Sequence, residues 1–147
     1  MALFNVRVYG ILINSQNEVL LSDEYERETY FTKFPGGGLE LGEGTIAGLK
    51  REFMEECEME IEIIRHLYTT DFYARSIFND SQIISIYYLV KNIYPIQFSI
   101  KTKVFDFDII GESSQAFRWV NLSKLTDSMV SFPTEKKLIE ILLSKNL

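Results

Sequence analysis

The sequence predicts a mixed α/β protein whose sheet is sandwiched between helices, and three observations carry that expectation. Segments of strand composition dominate the chain, a central stretch from Ile46 to about Cys57 has helical apolar spacing, and a terminal stretch from Glu135 to Ser144 follows Pro133 as a second helix. Strands with a few amphipathic helices fold by burying the sheet beneath those helices. A chain of 147 residues fits one domain, residues 1–147, burying about two-thirds of its unfolded surface in one core.

Taken in order, Phe4 to Asn14 alternates around Val6, Val8 and Leu12, the period of a half-buried strand. Ser15-Gln16-Asn17 reads as a turn into a second strand, Glu18 to Ser22, and the pair is expected to form a hairpin. Residues 23–32 (DEYERETYFT) are polar and aromatic and read as a loop, after which Phe34-Pro35 leads into Gly36, Gly37 and Gly38. Three glycines allow a sharp bend and a close approach to a ligand. Thr45 is the expected N-cap of the central helix. At about 100° per residue, Ile46, Leu49, Phe53, Met54 and Cys57 share one side, with the Lys50 stem packed among them and its ammonium turned outward. Gly48 sits on the other side, as clearance for a close loop or ligand. Further strands are expected over Ile61 to Phe72, Ile83 to Lys91, Phe98 to Thr102 and Ala116 to Leu122.

Composition narrows the functional classes. The net charge of −6 opposes the many phosphate contacts that a long nucleic acid requires, whereas a small anionic substrate is compatible if a divalent cation mediates. No segment is apolar enough for a bilayer crossing, and the start MALFNVRVYGILI lacks the basic segment and small-residue site of a secretory signal, so a cytoplasmic protein is expected. Cys57 is the single cysteine and His66 the single histidine, which excludes a disulfide, a cysteine zinc site and a histidine metal cluster. Cys57 lies on the apolar helix face and reads as a core residue.

The opposite helix face carries Glu52, Glu55 and Glu56, related as i, i+3 and i+4, which brings their carboxylates within reach of one another. Like charges so close are unfavourable unless a cation sits among them. Hard oxygen donors suit Mg²⁺ or Mn²⁺, with waters and substrate phosphates completing the shell. The glycine-rich segment just upstream can offer backbone groups to the same metal or to a phosphate.

With Gly37, Glu43, Arg51-Glu52-Phe53, Glu55-Glu56 and Met59 in their observed spacing, this stretch resembles the Nudix box. Glu58 departs from it, standing where the box has glycine. The resemblance implies an α/β/α sandwich with a mixed central sheet, and metal-dependent hydrolysis of a nucleoside diphosphate linked to another group. It further implies that Glu52, Glu55 and Glu56 ligate Mg²⁺ (or Mn²⁺), that the Gly36 carbonyl can add a ligand, and that Gly37, Glu43 and Arg51 are structural. Arg51 would orient the glutamates by pairing with Glu43 and Glu55. Glu52 is one candidate for the base that deprotonates the attacking water; Glu112 is the first candidate outside the box, followed by Asp106 and Asp108. The expected partner is a small nucleotide-derived substrate, and the apolar strands permit a homodimer.

At Glu58 the sequence predicts a left-handed residue closing the helix at a cost of about 1 to 2 kcal/mol, with the site intact. That departure also motivates an alternative, a Nudix-fold nucleotide-binding domain with weak or no catalysis. An RNA-decapping role is opposed by the acidic charge. Prolines stand only at positions 35, 95 and 133, unlike the pattern beyond the box in some ADP-ribose hydrolases, and Tyr73 lies near, but not at, a tyrosine of dinucleoside-polyphosphate hydrolases. Nucleoside triphosphates and nucleotide sugars both fit. Tyr30, Phe31, Phe34, Arg7 and Tyr9 are pocket candidates, and of Tyr87 and Tyr88 one should face the core.

Overall fold

The chain changes sheets at Ile13. Strand β1 (Phe4–Leu12) and strand β2 (Glu18–Glu26) are consecutive, yet they pair in different sheets, and Ile13, the residue after β1, makes an isolated antiparallel bridge to Val19. The expected hairpin is therefore not formed. The turn itself is as expected, because the Asn14 side-chain carbonyl accepts the N–H groups of Gln16 and Glu18 at 3.0 and 2.9 Å, and Asn17 takes a positive φ of 62°. In this computed structural model, which describes residues 3–144, the chain separates into two units: Met1–Leu12 with Pro35–Ile96, and Ile13–Phe34 with Gln97–Leu147.

The first unit holds a four-stranded mixed sheet in the order β4-β1-β6-β5, with β4 at Gly36–Gly38, β5 at Ile61–Thr69 and β6 at Gln82–Asn92. β1 runs parallel to β6 and antiparallel to β4, in a register that sets Arg7, Val8 and Tyr9 opposite Gly38, Gly37 and Gly36. What reads as a glycine loop is thus a short edge strand. Helix α1 (Thr45–Cys57) buries Leu49, Phe53 and Cys57 but leaves Ile46 and Met54 about half exposed, so its apolar face is narrower than the spacing suggests. Gly10 lets that helix approach: a Cβ there would lie 2.5 Å from the Phe53 ring. Gly48 is buried against the loop, as expected, since a Cβ on it would meet Leu39 at 2.6 Å and the Glu43 carboxylate at 2.9 Å.

Both ends of α1 depart from simple capping. Gly44, not Thr45, occupies the N-cap and makes no side-chain bond, while the Thr45 hydroxyl is 2.7 Å from the Tyr88 hydroxyl and so ties the helix to β6. At the C-terminus Glu58 adopts the left-handed conformation (φ 48°, ψ 37°). Its N–H bonds to the Met54 carbonyl and that of Met59 to the Phe53 carbonyl, the paired closure that normally uses glycine.

The second unit holds a sheet in the order β3-β2-β8-β7, with β3 at Thr29–Lys33, β7 at Ile100–Lys101 and β8 at Ser113–Asn121. Residues 23–32 are accordingly not a loop: β2 continues to Glu26 and returns as β3 through Arg27 and Glu28, both at positive φ (50° and 61°). That pair of angles suits the right-handed twist of a two-residue hairpin. The polar residues that obscured the strand are satisfied across the sheet. Lys33 Nζ lies 2.9 Å from Glu24, and Asp23 accepts two bonds from Arg118 at 2.6 and 3.1 Å and one from the Thr32 hydroxyl at 2.7 Å. Helix α2 (Pro133–Ser144) buries Leu138, Ile139 and Leu142. Mixed sheets and two helices make this the expected α/β class. Among the described residues no helix is long and apolar enough to cross a membrane.

Candidate active site on the first helix

Arg51 is the hub of the acidic helix face. It projects from α1 toward the loop after β4, where Nε donates to Glu43 Oε2 at 3.0 Å and Nη2 to Glu43 Oε1 at 2.6 Å. Nη2 also donates to the Gly38 carbonyl at 3.0 Å, and Nη1 reaches Glu52 at 3.0 Å and Glu55 at 3.1 Å. One planar guanidinium therefore fastens the helix to the edge strand and spaces two expected metal ligands. Such forked, charge-assisted bonds are shorter and stronger than neutral ones. The sequence reading named Glu43 and Glu55 as partners; it missed the Gly38 carbonyl, a backbone acceptor with no side-chain signature, and Glu40, whose carboxylate lies 3.6 Å from Nη1.

The electrostatics follow from this contact. The Arg51 hydrogen bond, and then the Glu40 backbone N–H, hold the Glu43 carboxyl down at about 2 from an ordinary 4.5. The Glu43 bond in turn raises the Arg51 guanidinium above its ordinary value. The Glu43–Arg51 pair is therefore fully ionised at neutral pH.

Glu52 is positioned by a missing side chain. A Cβ on Gly37 would fall 2.7 to 2.9 Å from its carboxylate atoms, so only glycine lets the acid lie against β4. Gly36 takes φ +145°, and a Cβ there would meet the Val8 carbonyl at 2.1 Å, which fixes the identity of this residue also. Glu55 is exposed and Glu56 half-buried on the same helix. Among the described residues, no three histidine, cysteine or acidic side chains are grouped as a ready metal cage; Glu52 and Glu55 face the Arg51 cation instead.

The remaining candidates separate by unit. Glu112 lies in the second unit, exposed just before β8, as do exposed Asp106 and Asp108, the latter paired with Lys101. Phe31 and Phe34 are core residues and Tyr30 is exposed within a ring cluster with Tyr25, Phe105 and Phe107. Tyr87 is fully buried whereas Tyr88 is half-buried, the expected alternation. Cys57 is buried, and His66 is exposed beside Thr69.

The model of the NUDIX domain family matches residues 3–140. Solved structures similar to this chain include the Escherichia coli ORF135 protein, at 18% identity and a TM-score of 0.71, covering 97% of this chain and 91% of that one. A MutT protein from Methanosarcina mazei Go1 shares 18% identity at a TM-score of 0.69, covering 95% and 92%. A Streptococcus suis protein named as an ADP-ribose pyrophosphatase shares 14% identity at a TM-score of 0.61, covering 95% and 90%. No curated protein matches by sequence.

Proposed function

The chain belongs to the NUDIX domain family; from that premise we propose a Nudix hydrolase acting on phosphoric anhydrides, a Mg²⁺-dependent pyrophosphohydrolase, with Mn²⁺ as a substitute, that cleaves a nucleoside diphosphate linked to another moiety. The observation that supports it most is Glu52, laid against Gly37 and held from the other side by Arg51.

The donors suit a hard divalent cation. Glu52, Glu55 and Glu56 of α1, with the Gly36 carbonyl, are the oxygens that would hold it, and two of these acids already face a cation in Arg51. When bound, the metal supplies neutralisation of pyrophosphate oxygens and a more acidic water. The protein's own groups do the rest. Arg51 keeps Glu43, Glu52 and Glu55 oriented, the β4 glycines bring bare backbone to the phosphates, and a Glu52 carboxylate oxygen takes the proton of the attacking water. Glu112 is the second candidate for that role. The substrate is a small nucleotide in a cytoplasmic protein, not a long nucleic acid.

Glu58 gives no ground for the binding-only alternative, because α1 ends there with the ligand-bearing turns intact. The test is phosphate release from nucleoside triphosphates, ADP-ribose, nucleotide sugars and dinucleoside polyphosphates, with and without Mg²⁺ or Mn²⁺. Metal-dependent turnover of one of these, falling by about 10²-fold or more in Glu56→Gln, is expected. Saturable binding without any turnover would replace hydrolysis with the binding-only reading.

A further inference from the structure

A guanidinium carries five N–H groups, and those of Arg51 all have acceptors. Nε donates to Glu43, Nη2 to Glu43 and to the Gly38 carbonyl, and Nη1 to one oxygen each of Glu52 and Glu55. A fourth carboxylate nevertheless faces the same fork. Glu40 Oε1 stands 3.6 Å from Nη1, within ion-pair range but beyond a hydrogen bond, since both protons of that nitrogen are already taken.

The acids around Nη1 differ in freedom. Glu52 is 12% exposed, with its oxygens 2.7 and 2.9 Å from where a Gly37 Cβ would stand, so it is held between Arg51 and β4. Glu55 and Glu40 are 57% and 65% exposed and reach Nη1 from different segments, one from α1 and the other from the loop after β4. The Glu40 backbone is anchored while its side chain extends into solvent: its N–H donates to Glu43 Oε1 at 2.8 Å, and its carbonyl accepts the Glu43 N–H at 3.3 Å. Two mobile acids therefore compete for one nitrogen.

We propose that Glu40 is a positioning residue for the cation site: as Glu55 turns from Arg51 to a divalent cation, Glu40 closes onto the Nη1 proton that Glu55 vacates. This role rests on the hydrolase reading, in which Glu55 is a ligand, and adds an acid that is not itself one. A carboxylate shared between the guanidinium and the cation holds two positive centres close together, and like charges at that range repel. One exposed acid for each cation relieves the repulsion. Arg51, 21% exposed, then keeps an acceptor on every N–H and continues to hold Glu43, Glu52 and the Gly38 carbonyl.

The test is Mg²⁺ and Mn²⁺ binding by calorimetry, without nucleotide, to wild type, Glu40→Gln, Glu40→Asp and Glu58→Gln, beside a crystal structure of the Mg²⁺-loaded wild type. Glu40→Gln should weaken both cations about 3- to 10-fold, between the effect of an exposed ion pair and that of a charge-assisted hydrogen bond, with Tm in EDTA unchanged. Glu40→Asp keeps the charge with a shorter reach and should fall between wild type and Glu40→Gln. Glu58→Gln removes an equal charge two residues beyond Glu56 and should change affinity less than about twofold. In the crystal a Glu40 oxygen is expected about 2.9 Å from Nη1, with Glu55 on the cation. Equal weakening in Glu40→Gln and Glu58→Gln would reduce the effect to general negative charge, a Tm loss in EDTA matching the affinity loss would make Glu40 a structural residue, and Glu55 still bonded to Nη1 in the loaded crystal would deny the exchange; each overturns the inference. Cation binding that Glu40→Gln leaves unchanged overturns the exchange alone, whereas a wild type that binds neither cation overturns the metal site of the hydrolase reading with it.

Discussion

Two arginines in this molecule hold acids in opposite ways. In the first unit Arg51, 21% exposed, divides its donors among Glu40, Glu43, Glu52 and Glu55, the last of them 57% exposed. In the second unit Arg118 is 9% exposed and gives two bonds to one fully buried acid, Asp23, whose oxygens also receive the Thr32 hydroxyl and the Phe105 N–H. The first arrangement is partly open to solvent, and under the proposed function it is the one that would exchange partners with a metal or a substrate. The second is closed, with each charge satisfied by a single fixed set of groups. The difference teaches that burial, not the presence of an ion pair, separates a site poised for chemistry from one committed to holding strands together.

That contrast can be broken most directly at Arg118. Arg118→Met leaves Asp23 charged and buried, and should lower unfolding free energy by about 3 to 5 kcal/mol in urea denaturation. A loss below about 1 kcal/mol would mean that the closed pair behaves like a surface one. A smaller effect, of opposite sign, is expected at the end of α1. Glu58→Gly removes the cost of a left-handed side-chain-bearing residue and should stabilise by about 1 to 2 kcal/mol, with metal-dependent turnover unchanged. Destabilisation by this change would show that Glu58 makes a compensating contact. The smallest effect belongs to Glu43. Its carboxyl is lower in the folded chain, at about 2 against 4.5, so its contribution is present above pH 4.5 and is lost as pH falls toward 2. The stability difference between wild type and Glu43→Gln should therefore narrow across that window in acid titration, and a difference that is flat from pH 6 to 2 would contradict the pairing.

What could be read in the sequence follows the same division. Glu43, Arg51, Glu52, Glu55 and Glu56 lie within one helix and the loop before it, so chain spacing alone places them in mutual reach. Asp23 and Arg118 are 95 positions apart, and nothing local marks them as partners. That is why residues 23–32, the second half of β2 and most of β3, read as a loop: Asp23 and Glu24 find their cationic partners across strands. The β1–β2 hairpin failed for a related reason, because both segments alternate correctly and adjacency does not say that the chain switches sheets at Ile13. Thr45 has the composition of a cap, but the Tyr88 hydroxyl competes for its side chain from β6, a contact 43 residues away. Arg7 and Tyr9 were legible as neighbours on one strand face; that Gly38 stands opposite them required the register.

The left-handed corner at Glu58 has a practical side. A side chain already leaves the backbone there into solvent, two residues beyond Glu56, while the neighbouring Cys57 thiol is buried and is the chain's single cysteine. A thiol introduced by Glu58→Cys would be the accessible one for a fluorophore. The helix end thus offers a spectroscopic vantage on cation binding that a glycine at the same corner could not.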